Sequence, residues 1–237
     1  MQIVGPSWVR SKGVKEGKVI KYLLLVIPIY IYFSHLVPFY SLSIQLEGMV
    51  NLLILLLCLI LLLRQMTYRT VFDWIMGICF TVYFCILYDR TIEFHFFLDN
   101  FRFSIEDIKY VLWKVNVVPI RGVFVELSQA PSLNYALYQI VGNTIMLAPL
   151  AFSMLYFKWT KSFVQAIWYS FLCTVGIELI QLFQNVMEHV FGIGIGRSTD
   201  IDDVILNTIG AILGAGCYYM WKKAVELFRK GKTELFT

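Results

Sequence analysis

Apolar positions gather into six long runs, roughly 19–37, 49–63, 71–88, 139–157, 163–183 and 204–221, separated by polar stretches. Each approaches the ~20 residues that an α-helix needs to cross a hydrocarbon core about 30 Å thick. Inside lipid a helix satisfies its own backbone, so such runs read as helices. The pattern therefore predicts an all-α, polytopic transmembrane bundle of about six helices. The second run is the shortest, and its ends are the least defined. Segment 89–138 is the long stretch that does not span, and it is rich in aromatics: Phe94, Phe96, Phe97, Phe101, Phe103, Tyr110 and Trp113. Within it, 104–113 reads as a short amphipathic helix with Ser104 as N-cap. Two placements are open: in the membrane interface, or packed on the bundle.

Composition excludes the soluble alternative. The chain has 237 residues, 59% hydrophobic and 15% charged, where a soluble domain carries about 25% charged. Charge placement then sets an orientation. With the N-terminus inside, Arg10, Lys12, Lys15, Lys18, Lys21, Arg64, Arg69, Lys158, Lys161, Lys222, Lys223, Arg229, Lys230 and Lys232 all flank the cytoplasmic side. Arg90, Arg102, Lys109, Lys114, Arg121 and Arg197 fall in two outer loops. Positive charge concentrates inside, so both termini are expected in the cytoplasm. The organisation read from this is a basic tail (1–18), three spans (19–88), an extracytoplasmic aromatic-rich loop (89–138), a core of three spans (139–221) and a second basic tail (222–237). No small-residue cleavage site follows the first apolar run, so it does not read as a cleavable signal. Cys58, Cys79, Cys85, Cys173 and Cys217 lie in apolar runs without a CxxC pair, and read as small buried hydrophobes.

Polar groups inside spans are expensive, so they mark candidate chemistry. Glu178, Gln181 and Asn185 share one face of the fifth run at i, i+3 and i+7. Glu178 lies about five residues from that run's outer end, roughly 7–8 Å deep. Asp203, Asn207, Gly210 and Gly214 form a stripe on the sixth, where the two glycines suit close helix packing. Asn143 supplies a third polar site on the fourth run, which Pro149 should kink. Before the sixth run come Arg197, Asp200, Asp202 and Asp203. Asp200 is placed to N-cap the helix, with Asp203 at N3. Capping explains one or two of these acids. The third leaves open an ion-pair and cap network, a ligand or catalytic site, or a hard-cation site; no metal is assigned. His35, His95 and His189 do not cluster. No nucleophile elbow, phosphate loop, zinc motif or dinucleotide fingerprint occurs, and nothing calls for a cofactor or nucleic acid.

Four segments carry a resemblance to the VanZ-like family of bacterial membrane proteins. They are Asn116-Val117-Val118-Pro119-Ile120-Arg121; the run from Gly142-Asn143 to Pro149-Leu150; Glu178-Leu179-Ile180-Gln181; and, most specifically, Arg197 with Asp200-Ile201-Asp202-Asp203 through Asn207-Thr208-Ile209-Gly210. The likeness extends over about residues 20–220. Ala151 and Ile120 depart from it mildly, standing where the family usually has Gly and commonly Phe. The resemblance implies a multi-pass protein of the bacterial cell membrane, and a contribution to teicoplanin resistance as in the founding member. The first functional expectation is binding or handling of an amphiphile at the outer leaflet: a lipid-linked precursor, a lipid headgroup or a lipoglycopeptide. An embedded enzyme acting on a lipid headgroup is a second, though no nucleophile supports it. A structural module binding membrane-protein partners is a third. The sequence sets no oligomeric state.

Overall fold

The computed structural model describes residues 19–35, 42–94, 104–190 and 199–234. Among them the architecture is helical, with no strand beyond one isolated bridge between Asn116 and Asp200. The helices are α1 (Val26–His35, entered through a 3₁₀ turn Lys21–Leu25), α2 (Leu42–Gln65), α3 (Val71–Thr91), α4 (Ile105–Trp113), α5 (Arg121–Gln129), α6 (Leu133–Met146), α7 (Ala148–Tyr156), α8 (Phe163–Val190) and α9 (Ile201–Glu234). The spans Ile44–Gln65, Val71–Thr91, Leu133–Tyr156, Phe163–Val190 and Ile201–Phe228 are long and apolar enough to cross a membrane, while Lys21–Ser34 is a shorter apolar helix. The second span thus reaches full length, because polar Gln45 and Glu47 are absorbed into its first turns.

The described residues fall into two compact units that meet in sequence at Asp89–Arg90. In the first, the Lys21 ammonium is buried and donates to the carbonyls of Arg64 (2.9 Å) and Met66 (3.0 Å). A cation there satisfies the carbonyls that end α2 and suits its negative dipole end. Thr70 and Asp73 form a reciprocal cap at the start of α3: the Asp73 amide donates to Thr70 Oγ1 (3.2 Å), and Asp73 Oδ2 accepts from the Thr70 amide (2.7 Å). Inside the unit, Tyr88 donates to Asn51 Oδ1 (3.0 Å), and Asn51 Nδ2 donates to the Glu47 carbonyl (3.2 Å). The chain pairs these span-level polar groups instead of leaving them in lipid.

The second unit is built around α9, which packs against α5, α6, α7 and α8. Gly210 and Gly214 make this possible: a Cβ on Gly210 would strike the Thr144 carbonyl, and one on Gly214 the Ala148 carbonyl. Those carbonyls flank Leu147, where the expected fourth helix breaks into α6 and α7, with Pro149 in the first turn of α7. Deeper along the same face, Ala211 and Ala215 meet Ala151, Leu155 and Ala166 in a tight apolar cluster. The helix expected at 104–113 is α4, capped by Ser104 accepting from the Glu106 amide (3.2 Å). It packs on α8, with Val111 buried and Tyr110 stacked on His189 at 5.4 Å, while Ile105, Leu112 and Trp113 remain exposed. Three cysteines depart from the buried reading, since Cys79, Cys173 and Cys217 are exposed on apolar helix faces.

Candidate functional site

The site assembles where α9 begins. The Asp200 carboxylate accepts from the Asp202 amide (2.8 Å), which makes it the N-cap of its own helix. The strand-like segment before α5 lies alongside. The Asn116 amide donates to the Thr199 carbonyl, and the Asn116 carbonyl accepts from the Ile201 amide, both at 3.0 Å. Asn116 also donates from Nδ2 to Asp200 Oδ1 (2.8 Å), while its own Oδ1 accepts from the Val118 amide (3.1 Å); the next turn, which holds Pro119, is closed by the Arg121 amide on the Val118 carbonyl (3.3 Å). One asparagine thus ties the outer segment to the acidic loop.

Asp202 solves a problem that α5 cannot solve for itself. The residue at the N-cap of α5 is Ile120, which has no capping oxygen and sits at φ 69° in the left-handed region. Asp202 reaches across from α9, and its two carboxylate oxygens accept from the amides of Ile120 and Val123 (3.1 Å to the latter). A carboxylate at a helix N-terminus is favoured by both hydrogen bonding and the helix dipole. Gly122 lets the chain come this close, since a Cβ there would collide with Asp200 Oδ2 and stand 3.0 Å from Asp202 Oδ2. The third acid, Asp203, accepts from Asn143 Nδ2 of α6.

Glu178 enters from the other side of α9. It is buried, and its Oε2 accepts from the Asp200 amide at 3.0 Å. The structure alters the ruler used for its depth, because α8 runs on to Val190. Glu178 is twelve residues from that end, or about 18 Å. Asn207 donates to Thr174 Oγ1 at 3.2 Å, also between α8 and α9. Of the expected residues, Asn116, Asn143, Asp200, Asp202 and Asp203 thus lie on the α5–α6 side of α9, while Glu178, Gln181 and Asn207 lie towards α8. Arg197 lies outside the described residues. Arg121 opens α5, is exposed, and contributes charge near Asp200.

A cleft of about 430 Å³ opens between α5, α6 and α9. Its polar lining comes from Glu126, Tyr135, Gln139, Asn143 and the acids Asp200, Asp202 and Asp203. Burial pushes the Asp200 carboxyl above its ordinary value, and the charge of Asp202 adds to this. The Asp202 amide, Asn116 and the Arg121 guanidinium oppose it. Among the described residues no set of three or more His, Cys, Asp or Glu side chains is arranged to hold a metal ion. Gly122, Glu126, Tyr135, Gln139 and Thr174 were not singled out by the sequence. Gly122, Glu126 and Tyr135 fall inside the segment 89–138 that reads as a loop, and Gln139 opens the fourth expected run. Thr174 has a readable signal, one turn before Glu178 on the same face.

Among the described residues, five apolar stretches of helix are long enough to span, three of them in the unit that holds the polar site, and they define a multi-pass membrane protein. The VanZ/LLP1 family model matches residues 80–222, well over half of the chain, and the protein belongs to that family. The match begins within α3, so it takes in the second unit as far as Lys222 and leaves α1 and α2 outside, a shorter reach than the likeness over 20–220. No curated protein and no solved structure matches the chain.

Proposed function

We propose that the protein binds the polar headgroup of a membrane amphiphile in the α5–α6–α9 cleft, at the outer face of the bacterial cell membrane, with the apolar tails left in the bilayer. The observation that carries this is the lining: four carboxylates, a tyrosine, a glutamine and an asparagine converge on about 430 Å³ beside a spanning helix. Such a lining is rich in acceptors, so it favours a headgroup rich in donors, meaning an ammonium or sugar hydroxyls. A lipid-linked cell-wall precursor and a lipoglycopeptide both carry that chemistry on an apolar anchor. Reduced susceptibility to teicoplanin is the cellular consequence expected of this reading.

The test is binding of a polyprenyl-linked amino sugar, and separately of teicoplanin, to the purified full-length protein and to its Asp203→Asn and Asn143→Leu variants. Loss of at least about tenfold in affinity, about 1.4 kcal/mol, is expected for both variants. Undiminished binding by both would remove the cleft assignment. A second reading is favoured by the Asp202 bonds: the acids lock helices together and bind nothing. In that case the same variants lose thermal stability, and the wild-type protein binds neither probe.

A further inference from the structure

The side of α8 that faces α9 carries an unusual sequence of positions. Ser170, Thr174, Glu178, Gln181 and Asn185 follow one another at spacings of four, four, three and four, so they form one stripe. All five are buried. From Gln181 to Ser170 this stripe descends eleven residues, about 16 Å, or half of a hydrocarbon core. Opposite it on α9 stands Asn207, fully enclosed and bonded through Nδ2 to Thr174. Three polar atoms along this seam are buried without a hydrogen-bond partner among the described residues: Gln181 Oε1, Asn207 Oδ1 and Ser170 Oγ. They lie at different levels, one above Glu178 and two below it.

Unmet acceptors inside a helix bundle at membrane depth are costly, and no lipid group can satisfy them. Their separation along the helix excludes one compact ion or ligand serving all three. Water suits them: it is small, both donates and accepts, and makes about three bonds when buried. The seam is also closed at one end and linked at the other. Below Ser170 the cluster of Ala166, Ala211, Ala215, Ala151 and Leu155 offers no polar atom beyond the backbone. Above, Asp200 donates its amide to Glu178 and lines the cleft with its carboxylate.

We infer that the α8–α9 seam binds a file of water molecules that connects Glu178 to the cleft side of the membrane and leaves it sealed from the other. Glu178 is then a one-sided proton acceptor. A hydronium reaching it gives up its proton to the carboxylate, leaving water and a neutral acid. Among the described residues, the elements packed against α8 bring Asp200, Asp202 and Asp203 at the start of α9, where Asp200 bonds to Glu178, and the exposed Glu106 and Lys109 on α4; α7 carries no charged residue. This assignment does not depend on what the cleft binds.

Hydroxyl-radical footprinting by X-ray radiolysis tests it on the full chain in lipid nanodiscs, because radicals formed from bound water oxidise adjacent side chains even where bulk solvent is excluded. Ile177 and Val204 flank the seam at 5% and 8% exposure, whereas Leu155, at 4%, belongs to the sealed cluster. Several-fold faster oxidation of Ile177 and Val204 than of Leu155 is expected, falling to the Leu155 rate for Val204 in Asn207→Leu. Equal rates in the wild-type protein overturn the proposal without reference to any variant. Infrared spectroscopy adds the proton: a carboxylic acid band that is missing in Glu178→Gln should titrate and shift in D₂O. A Glu178 acid band that persists unshifted in D₂O at every pH would likewise overturn the water connection.

Discussion

Asp202 shows how much one side chain in this site is asked to do. It sits in the first turn of α9, yet its carboxylate serves the amides of Ile120 and Val123 on α5. Ile120 is β-branched and held at φ 69°, a conformation that costs of order 1–3 kcal/mol unless its surroundings fix it. Replacing Asp202 with Ala is therefore expected to lower stability by about 1–2 kcal/mol, as for other lost N-caps, with Asp202→Asn less severe. Thermal unfolding of the purified variants measures this, and unchanged midpoints would mean that α5 holds itself. Asp200 gives a pH dependence of definite sign. Its carboxyl titrates above the ordinary 3.8, so the fold favours its neutral form. The stability this contributes is fully present below the ordinary value and is lost as pH rises through the folded one. The wild-type melting temperature, taken relative to Asp200→Asn, should accordingly rise as pH is lowered from 7 towards 4. A relative melting temperature that falls over that range would show that burial is not the dominant influence on this group.

At the scale of elements, α9 holds its four neighbours because its glycines remove side chains where backbones meet. Gly210→Ala drives a methyl into the Thr144 carbonyl, which belongs to a helix and cannot swing aside. A loss of about 2–4 kcal/mol, or failure to assemble, is expected, in the range of overpacking and strain. Gly216 on the same helix has open space around its would-be Cβ. Gly216→Ala should be neutral or slightly stabilising, by up to about 1 kcal/mol, through helix propensity. Thermal melts of the pair decide whether backbone contact or glycine content matters. The glycine stripe was legible because small residues at a spacing of four leave a strong periodic trace. The Pro149 break and the Ser104 cap were legible for equally local reasons. The helix α5 was not, because nothing in Arg121–Gln129 caps it and its stabilising carboxylate lies 82 residues further on. The ends of α8 and α9 were misjudged for a different reason. Hydropathy falls where a helix leaves lipid, but the helix continues: α8 has 28 residues and α9 has 34, about 42 and 51 Å. The acidic loop was seen as a group, but its division of labour between the two sides of α9 depends on packing that no spacing rule contains.

For the whole molecule, the distribution of Lys and Arg sets the expected orientation. In a background lacking the natural cysteines, a membrane-impermeant maleimide should label Ser128→Cys in intact cells. It should label Ser11→Cys and Thr233→Cys only after lysis, and the reverse pattern would invert the topology. That orientation puts the cleft on the outer face and makes the VanZ/LLP1 region, residues 80–222, the part that carries it. The borrowed cap of α5 also has a consequence for how the protein is made. A nine-residue helix without its own cap is marginal by itself. Its capping residue is translated only after two further spanning segments, Leu133–Tyr156 and Phe163–Val190, are complete, so α5 stays unanchored while α6, α7 and α8 enter the bilayer. The cleft wall is thus among the last parts of the nascent chain to settle, and a ribosome stalled before Asp202 emerges would leave a protein with most of its helices inserted and no site.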